Sequence, residues 1–380
     1  MFENISIIGD GGMGSVLAML LCEKKLATER AEKKLKLKST MRSSSAAKEK
    51  PNAIQNTKYE IRVRMWGYDR EQLGQIEKDR ENKKFLPGYK LPEALVFEPD
   101  DERIMAGADL IISAVPCQYM RGVWGRLKDY VPKDVSIVSV AKGIENETLL
   151  RPSQILADVL GEKRVLGPKV TNHEPRATRF AVLSGPTIAD ELARRLPATA
   201  CAASSDEKLA RDVQQTFNVP WLRVYTNTDV AGVELAGAMK NIIAIAAGIV
   251  DGVGAGDNAK AALLSRGLAE ITRLGVAMGA RQQTFAGLTG LGDLVTTCIS
   301  PKGRNRSFGE RVGRGQTVNQ AQRATESVVE GIATCKSVVA LAGRHNVEMP
   351  IAQAVYEVLF ENKPVQTAIA DLMKRRLKAE

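Results

Sequence analysis

The feature that most constrains the fold is a glycine turn set between an apolar strand and an apolar helix. Ile5-Ser6-Ile7-Ile8 reads as a short buried strand. Gly9-Asp10-Gly11-Gly12-Met13-Gly14 follows at once, and Ser15–Leu21 reads as a helix. A G-x-G-x-x-G alone is a weak signal, and its plain meaning is a glycine-rich turn without a ligand. With a strand before it and a helix after it, the pattern acquires a mechanism. Gly9 permits a tight turn, Gly11 admits a pyrophosphate close to the backbone, and Gly14 lets the helix pack on the strand. The helix N-terminus offers free N–H groups to an anion. The reading is a dinucleotide-binding turn.

An acidic residue about 20 positions on usually completes such a motif by holding a ribose. Here the chain departs from the pattern. Lys24–Lys58 is rich in Lys, Glu and Ser and reads as an insertion. The next strand is Ile61–Trp66, so Asp69 becomes the expected ribose carboxylate. Arg70 beside it leaves NAD and NADP both open. Further strands are expected at Ala108–Pro116, Val135–Val140, Phe180–Leu183, Thr199–Ala203 and Leu222–Thr226, with helical runs between them. That alternation predicts an α/β domain with a Rossmann-like, mostly parallel sheet. Lys142, Gly185 and Thr187 directly follow strands. They are expected on the same rim as the glycine turn, where such sheets bind ligands.

From Thr228 the pattern becomes helical. The expected division is residues 1–226 as a dinucleotide-binding domain, with the basic insertion at 24–58, and residues 227–380 as an all-helical domain for substrate and catalysis. Thr228–Ile245 is apolar on nearly every side and is expected to be buried, with Thr228 or Asp229 as its N-cap. Lys240 lies within it and has no carboxylate three or four residues away. A buried lysine is costly unless it is compensated or its pKa falls toward neutrality, which makes it a usable general acid and base. The plainer reading is a lysine whose tip snorkels to water. Asp293 opens a helix after a glycine loop and reads as an N-cap, with Thr297 one turn on along the same face. Arg304-Asn305-Arg306 suits a phosphate, since guanidinium forks match phosphate oxygens.

Bulk composition narrows the class. The net charge is +10, but residues 23–50 hold ten Lys/Arg and four Glu, which is +6; about +4 remains for everything else. That is too little for a nucleic-acid footprint. The five cysteines are scattered and never form C-x-x-C, and only two histidines occur, His173 and His345. Neither a disulfide framework nor a zinc site is indicated, and a histidine base has few candidates. No apolar run suits a membrane span, and the first strand begins almost at Met1. The expected location is cytoplasmic.

Taken together the motifs resemble NAD(P)-dependent glycerol-3-phosphate dehydrogenases. The ordered set is Gly9–Gly14, Phe85-Leu86-Pro87-Gly88, Val115-Pro116, Lys142-Gly143, Ser184–Thr187, Lys240-Asn241, Gly290–Asp293, Arg304–Arg306 and Val329-Glu330-Gly331. Only Lys24–Lys58 and Pro168–Arg179 fall outside the likeness. The resemblance implies interconversion of dihydroxyacetone phosphate and sn-glycerol 3-phosphate with NAD or NADP, supplying glycerol 3-phosphate for phospholipid synthesis. It implies Lys240 as proton donor and acceptor, assisted by Asp293 and Lys142. Lys142, Gly185, Thr187, Asn241, Thr297, Arg304 and Asn305 match the substrate site. Gly12, Met13, Ala189, Arg304, Val328 and Glu330 match positions around the dinucleotide, to which Gly9, Gly11, Gly14, Asp69 and Pro116 are added. A homodimer is expected.

Two positions depart from the family's pattern. Gly303 stands where serine is frequent, and Met13 where an aromatic is. The bottom-up chemistry agrees with the resemblance: with so few histidines, a lysine is the economical acid for a developing alkoxide. Two other readings remain open. One is a β-hydroxyacid or ketopantoate-type reductase, which also uses lysine. The other is a nucleotide-sensing module whose basic insertion binds a polyanion.

Overall fold

The computed structural model describes residues 2–24, 61–162, 165, 179–325 and 328–377. Most of the Lys24–Lys58 insertion and of Pro168–Arg179, with His173, lies outside them. Among the described residues eight strands form one sheet: β1 (Asn4–Ile8), β2 (Arg62–Trp66), β5 (Leu95–Phe97), β6 (Leu110–Ser113), β7 (Ser136–Ser139), β8 (Phe180–Ser184), β9 (Ala198–Ala203) and β10 (Leu222–Asn227). Their spatial order is β10-β9-β8-β7-β6-β1-β2-β5. A hairpin, β3 (Glu81–Asn82) with β4 (Leu86–Lys90), stands apart and carries the Phe85–Gly88 motif.

From β5 to β8 every pairing is parallel; β9 meets β8 antiparallel, and β10 follows β9. The last two strands are therefore reversed, which the strand composition did not reveal. β1 has β2 on one side and β6 on the other, the switch point at which such sheets open a ligand crevice. The inner strands are apolar throughout because both faces are covered. Leu110 and Ile112 pack with Ile5 and Ile7 on one face, while Ile111 packs with Trp66 and Trp124 on the other.

The helix Val230–Val253 is the axis of the second half, and every residue from Gly232 to Ile249 is buried. By length and hydropathy it could cross a membrane, but the protein itself buries 94% of that window. Asp229, rather than Thr228, caps it. One of its carboxylate oxygens accepts from Gly232 N–H at 2.9 Å, and the other from Arg281 N–H at 2.8 Å and the Thr284 hydroxyl at 2.6 Å. Glu234 ties the helix to the sheet half. It accepts from Ser153 N–H at 2.7 Å and from the Ser153 hydroxyl at 2.6 Å, and it pairs with Arg151.

The helix Arg304–Gly313 lies against the central helix almost backbone to backbone. A Cβ at Gly309 would sit 2.0 Å from the Ile245 carbonyl oxygen, and one at Gly248 would sit 1.9 Å from that of Arg306. Glycine on both helices permits this closeness, and it brings Asn305 against Asn241.

Candidate active site

The first turn is built as its glycines imply. Gly9 has φ +118°, and a Cβ there would meet the Ala114 carbonyl oxygen at 2.7 Å. A Cβ on Gly14 would lie 2.1 Å from the Gly9 carbonyl oxygen, so close helix–strand packing requires glycine. Gly11 differs: no described atom lies within 4 Å of its Cβ position. Packing does not demand glycine there, whereas the approach of a pyrophosphate to the helix that starts at residue 12 would. These residues fit a dinucleotide. Ala189 borders the same turn, its Cβ 3.8 Å from a Cβ built on Gly12. Met13 is half-buried against the sheet core. Pro116 precedes the helix Cys117–Leu127, after β6.

Asp69 follows β2 but has a local task. One of its oxygens accepts from Glu71 N–H at 2.9 Å and Gln72 N–H at 3.1 Å, capping the next helix. The second carboxyl group at this end, Asp10, occupies a variable position of the glycine motif, to which the sequence pattern assigns no role.

At the C-terminal ends of β7 and β8 the charged residues converge. Lys142 Nζ donates to Asp293 Oδ2 at 2.6 Å and to the Gly185 carbonyl at 3.1 Å. Thr187 Oγ1 donates to that same carbonyl at 3.1 Å. Lys240 Nζ lies 2.7 Å from Asp293 Oδ1 and also donates to Thr297 Oγ1. Asp293 is 2% exposed and Lys240 5%. Asp293 is thus the first residue of its helix and spends its carboxylate on two ammonium groups, not on an N-cap bond. The turn before it, Leu288–Gly292, is π-helical. Such turns recur where a side chain must be re-aimed at a site. Lys240 does not snorkel. Burial pulls its pKa down to about 8, Lys142 pulls the same way, and Asp293 opposes.

Asn305 Nδ2 donates to Asn241 Oδ1 at 3.0 Å, and Asn305 Oδ1 accepts from Gly331 N–H at 2.9 Å. Asn241 Nδ2 is buried without a hydrogen-bond partner among the described residues, a donor left over for a ligand. Burial pushes the Glu330 acid up, while Arg304, Lys142 and Lys240 together pull it down. That places Arg304 and Glu330 in the same electrostatic neighbourhood as the two lysines. Val328 is exposed nearby in sequence.

The arginine cluster divides. Arg304 is exposed and makes no ion pair among the described residues, so its guanidinium is available to an anion. Arg306 pairs with Asp251 at 2.6 Å and Glu310 at 3.0 Å and serves helix packing. It is not the second phosphate arm that the sequence suggested. Gly303 also has a packing reason: a Cβ there would crowd the Thr297 carbonyl oxygen at 3.0 Å.

A dinucleotide-type sheet whose rim lysine shares a carboxylate with a buried lysine of the helical half defines a two-domain nicotinamide-dependent oxidoreductase. The chain belongs to the NAD-dependent glycerol-3-phosphate dehydrogenase family, whose N-terminal model matches residues 4–210 and C-terminal model residues 229–370. It is 45% identical over 318 residues to a glycerol-3-phosphate dehydrogenase of the NAD(P)+ type from Syntrophotalea carbinolica, covering 84% of this chain and 92% of that one. A relative of the same name from Geobacter sulfurreducens is 41% identical over 380 residues, covering 100% and 99%. The crystal structure of glycerol-3-phosphate dehydrogenase from Coxiella burnetii superposes with a TM-score of 0.82 at 32% identity, covering 98% and 99%. A ketopantoate reductase from Ralstonia eutropha reaches only 0.52 at 13% identity, a likeness of fold.

Proposed function

We propose that this chain interconverts dihydroxyacetone phosphate and sn-glycerol 3-phosphate, with residues 1–226 holding the dinucleotide and residues 227–380 the substrate. The observation that carries the reading is the Lys142–Asp293–Lys240 bridge, which joins the rim of the sheet to the centre of the helical half. NAD(P)H, when bound, supplies the hydride. Gly9, Gly11, Gly12, Gly14, Met13, Asp69, Pro116, Ala189, Val328 and Glu330 border its expected place.

The Lys240 ammonium stabilises the oxygen on which negative charge develops and then gives it a proton. Asp293 and Thr297 hold the amine in line. Lys142, Gly185 and Thr187 line the carbonyl side of the substrate. Arg304, Asn305 and the spare Asn241 donor bind the phosphate and so fix the reacting carbon. Sheltering these groups between the two halves excludes water from the transfer.

The reading is tested by NAD(P)H oxidation with dihydroxyacetone phosphate against free dihydroxyacetone. Turnover that depends on the phosphate supports it; equal rates, or ketopantoate as the better substrate, reject it. The family resemblance supports three further readings: a homodimer, a cytoplasmic location, and supply of glycerol 3-phosphate to phospholipid synthesis. Light scattering of the purified chain tests the first.

A further inference from the structure

The first turn carries a carboxyl group that binding of a pyrophosphate leaves unexplained. Asp10 stands directly after β1, and its side chain turns toward the end of β2. A Cβ on Gly67 would lie 2.9 Å from Asp10 Cγ, so glycine at 67 makes the room for this carboxyl group. Gln72, in the first turn of the helix after β2, donates to Asp10 Oδ2 at 2.6 Å. Lys84 Nζ donates to the other end of that amide, 3.2 Å from Gln72 Oε1. Asn82 Nδ2 steadies the turn, donating to the Asp10 carbonyl at 2.7 Å and to Ser15 Oγ at 2.9 Å. Burial raises the acid's pKa most and Gln72 opposes; Asp69 is near enough to raise it further and Lys84 near enough to lower it.

In this class of fold the adenosine ribose lies against the acidic residue that follows β2. Here two carboxyl groups, Asp10 and Asp69, stand at the ends of the neighbouring strands β1 and β2. A ribose 2′-hydroxyl can donate to either. A 2′-phosphate brings only acceptor oxygens and up to two negative charges, and Asp10 Oδ2 already accepts from Gln72. Arg70 is exposed and its guanidinium can meet a 2′-phosphate, one cation set against two carboxyl groups, while Lys84 is engaged with Gln72. Repulsion between like charges is stronger beside a partly buried carboxylate than in open water.

We propose that Asp10 is a specificity-determining residue that makes this enzyme prefer NAD(H) to NADP(H), by setting a second carboxyl group beside the adenosine 2′ position. The proposal rests on the dinucleotide-binding reading of the first turn. Its test compares kcat/KM for NADH and NADPH, with dihydroxyacetone phosphate saturating, in the wild type, Asp10→Asn and Asp10→Ala. The wild type is expected to favour NADH by at least about tenfold, and either substitution to narrow that ratio by about tenfold. A wild-type ratio near one or favouring NADPH overturns the proposal, as does a ratio that the substitutions leave unchanged. Should the variants fail to fold, nicotinamide fluorescence titrations of the wild type with NADH and NADPH decide from the ratio of Kd values. Those titrations need no turnover. They test the cofactor preference independently of the substrate reading, which fails if no dihydroxyacetone phosphate is reduced.

Discussion

The Lys240 ammonium lies 2.7 Å from Asp293 Oδ1, on a different helix, and that carboxylate is shared with Lys142 at 2.6 Å. Because one carboxylate serves two cations, neither lysine is fully neutralised. Lys240→Ala should therefore lower turnover by about 10²- to 10⁴-fold while leaving NADH binding intact. Lys142 still pairs with Asp293 in that variant, so the melting temperature should hold. Stopped-flow turnover and a fluorescence titration measure the two effects. Near-normal turnover removes Lys240 from the proton transfer.

The pH dependence follows from the same amine, whose folded pKa is about 8. Ketone reduction needs the ammonium, so its rate should fall as pH rises through about 8. Alcohol oxidation needs the free amine and should rise across the same interval. Asp293 favours the charged form, so Asp293→Asn should move both midpoints to lower pH. Profiles of kcat in both directions check this, and a midpoint unmoved by the substitution counts against the pairing.

Arg304 and Arg306 should separate cleanly. Arg304→Ala should raise KM for dihydroxyacetone phosphate by about 10- to 100-fold, the scale of a lost charge-assisted hydrogen bond, with little change in stability. Arg306→Ala removes a guanidinium from Asp251 and Glu310. It should destabilise by about 1–3 kcal/mol and leave KM nearly unchanged. Denaturant melts and initial rates on both variants would show an exchange of these effects if the assignment is wrong.

Gly309→Ala tests the closeness of the two helices. Alanine improves intrinsic helix propensity by about 1 kcal/mol. Its Cβ would nevertheless lie 2.0 Å from the Ile245 carbonyl oxygen. The helices must part, so the net effect should be a loss of about 1–3 kcal/mol. Asn305 would withdraw from Asn241 and KM should rise as well. Thermal denaturation with parallel kinetics reads both, and a stabilised variant contradicts the packing.

Local chemistry fixed what neighbours in the chain could fix. The turn at Gly9–Gly14, the apolar strands and the buried run around Lys240 follow from residue type and spacing. So does the placing of Lys142, Gly185 and Thr187 at strand ends. Other features depend on which elements meet in space, which period and propensity do not encode. Examples are the reversal of β9 and β10, the diversion of Arg306 to Asp251, and the turning of Asp10 toward Gly67. The ordered motifs already pointed to Asp293 as the residue that steadies Lys240. That one carboxylate takes both ammonium groups was decided only when folding set a helix N-terminus between the sheet rim and the central helix. Sequence alone determined which groups could ionise. Tertiary packing determined which of them lost water and which partner remained, and those two terms set a buried lysine's proton affinity.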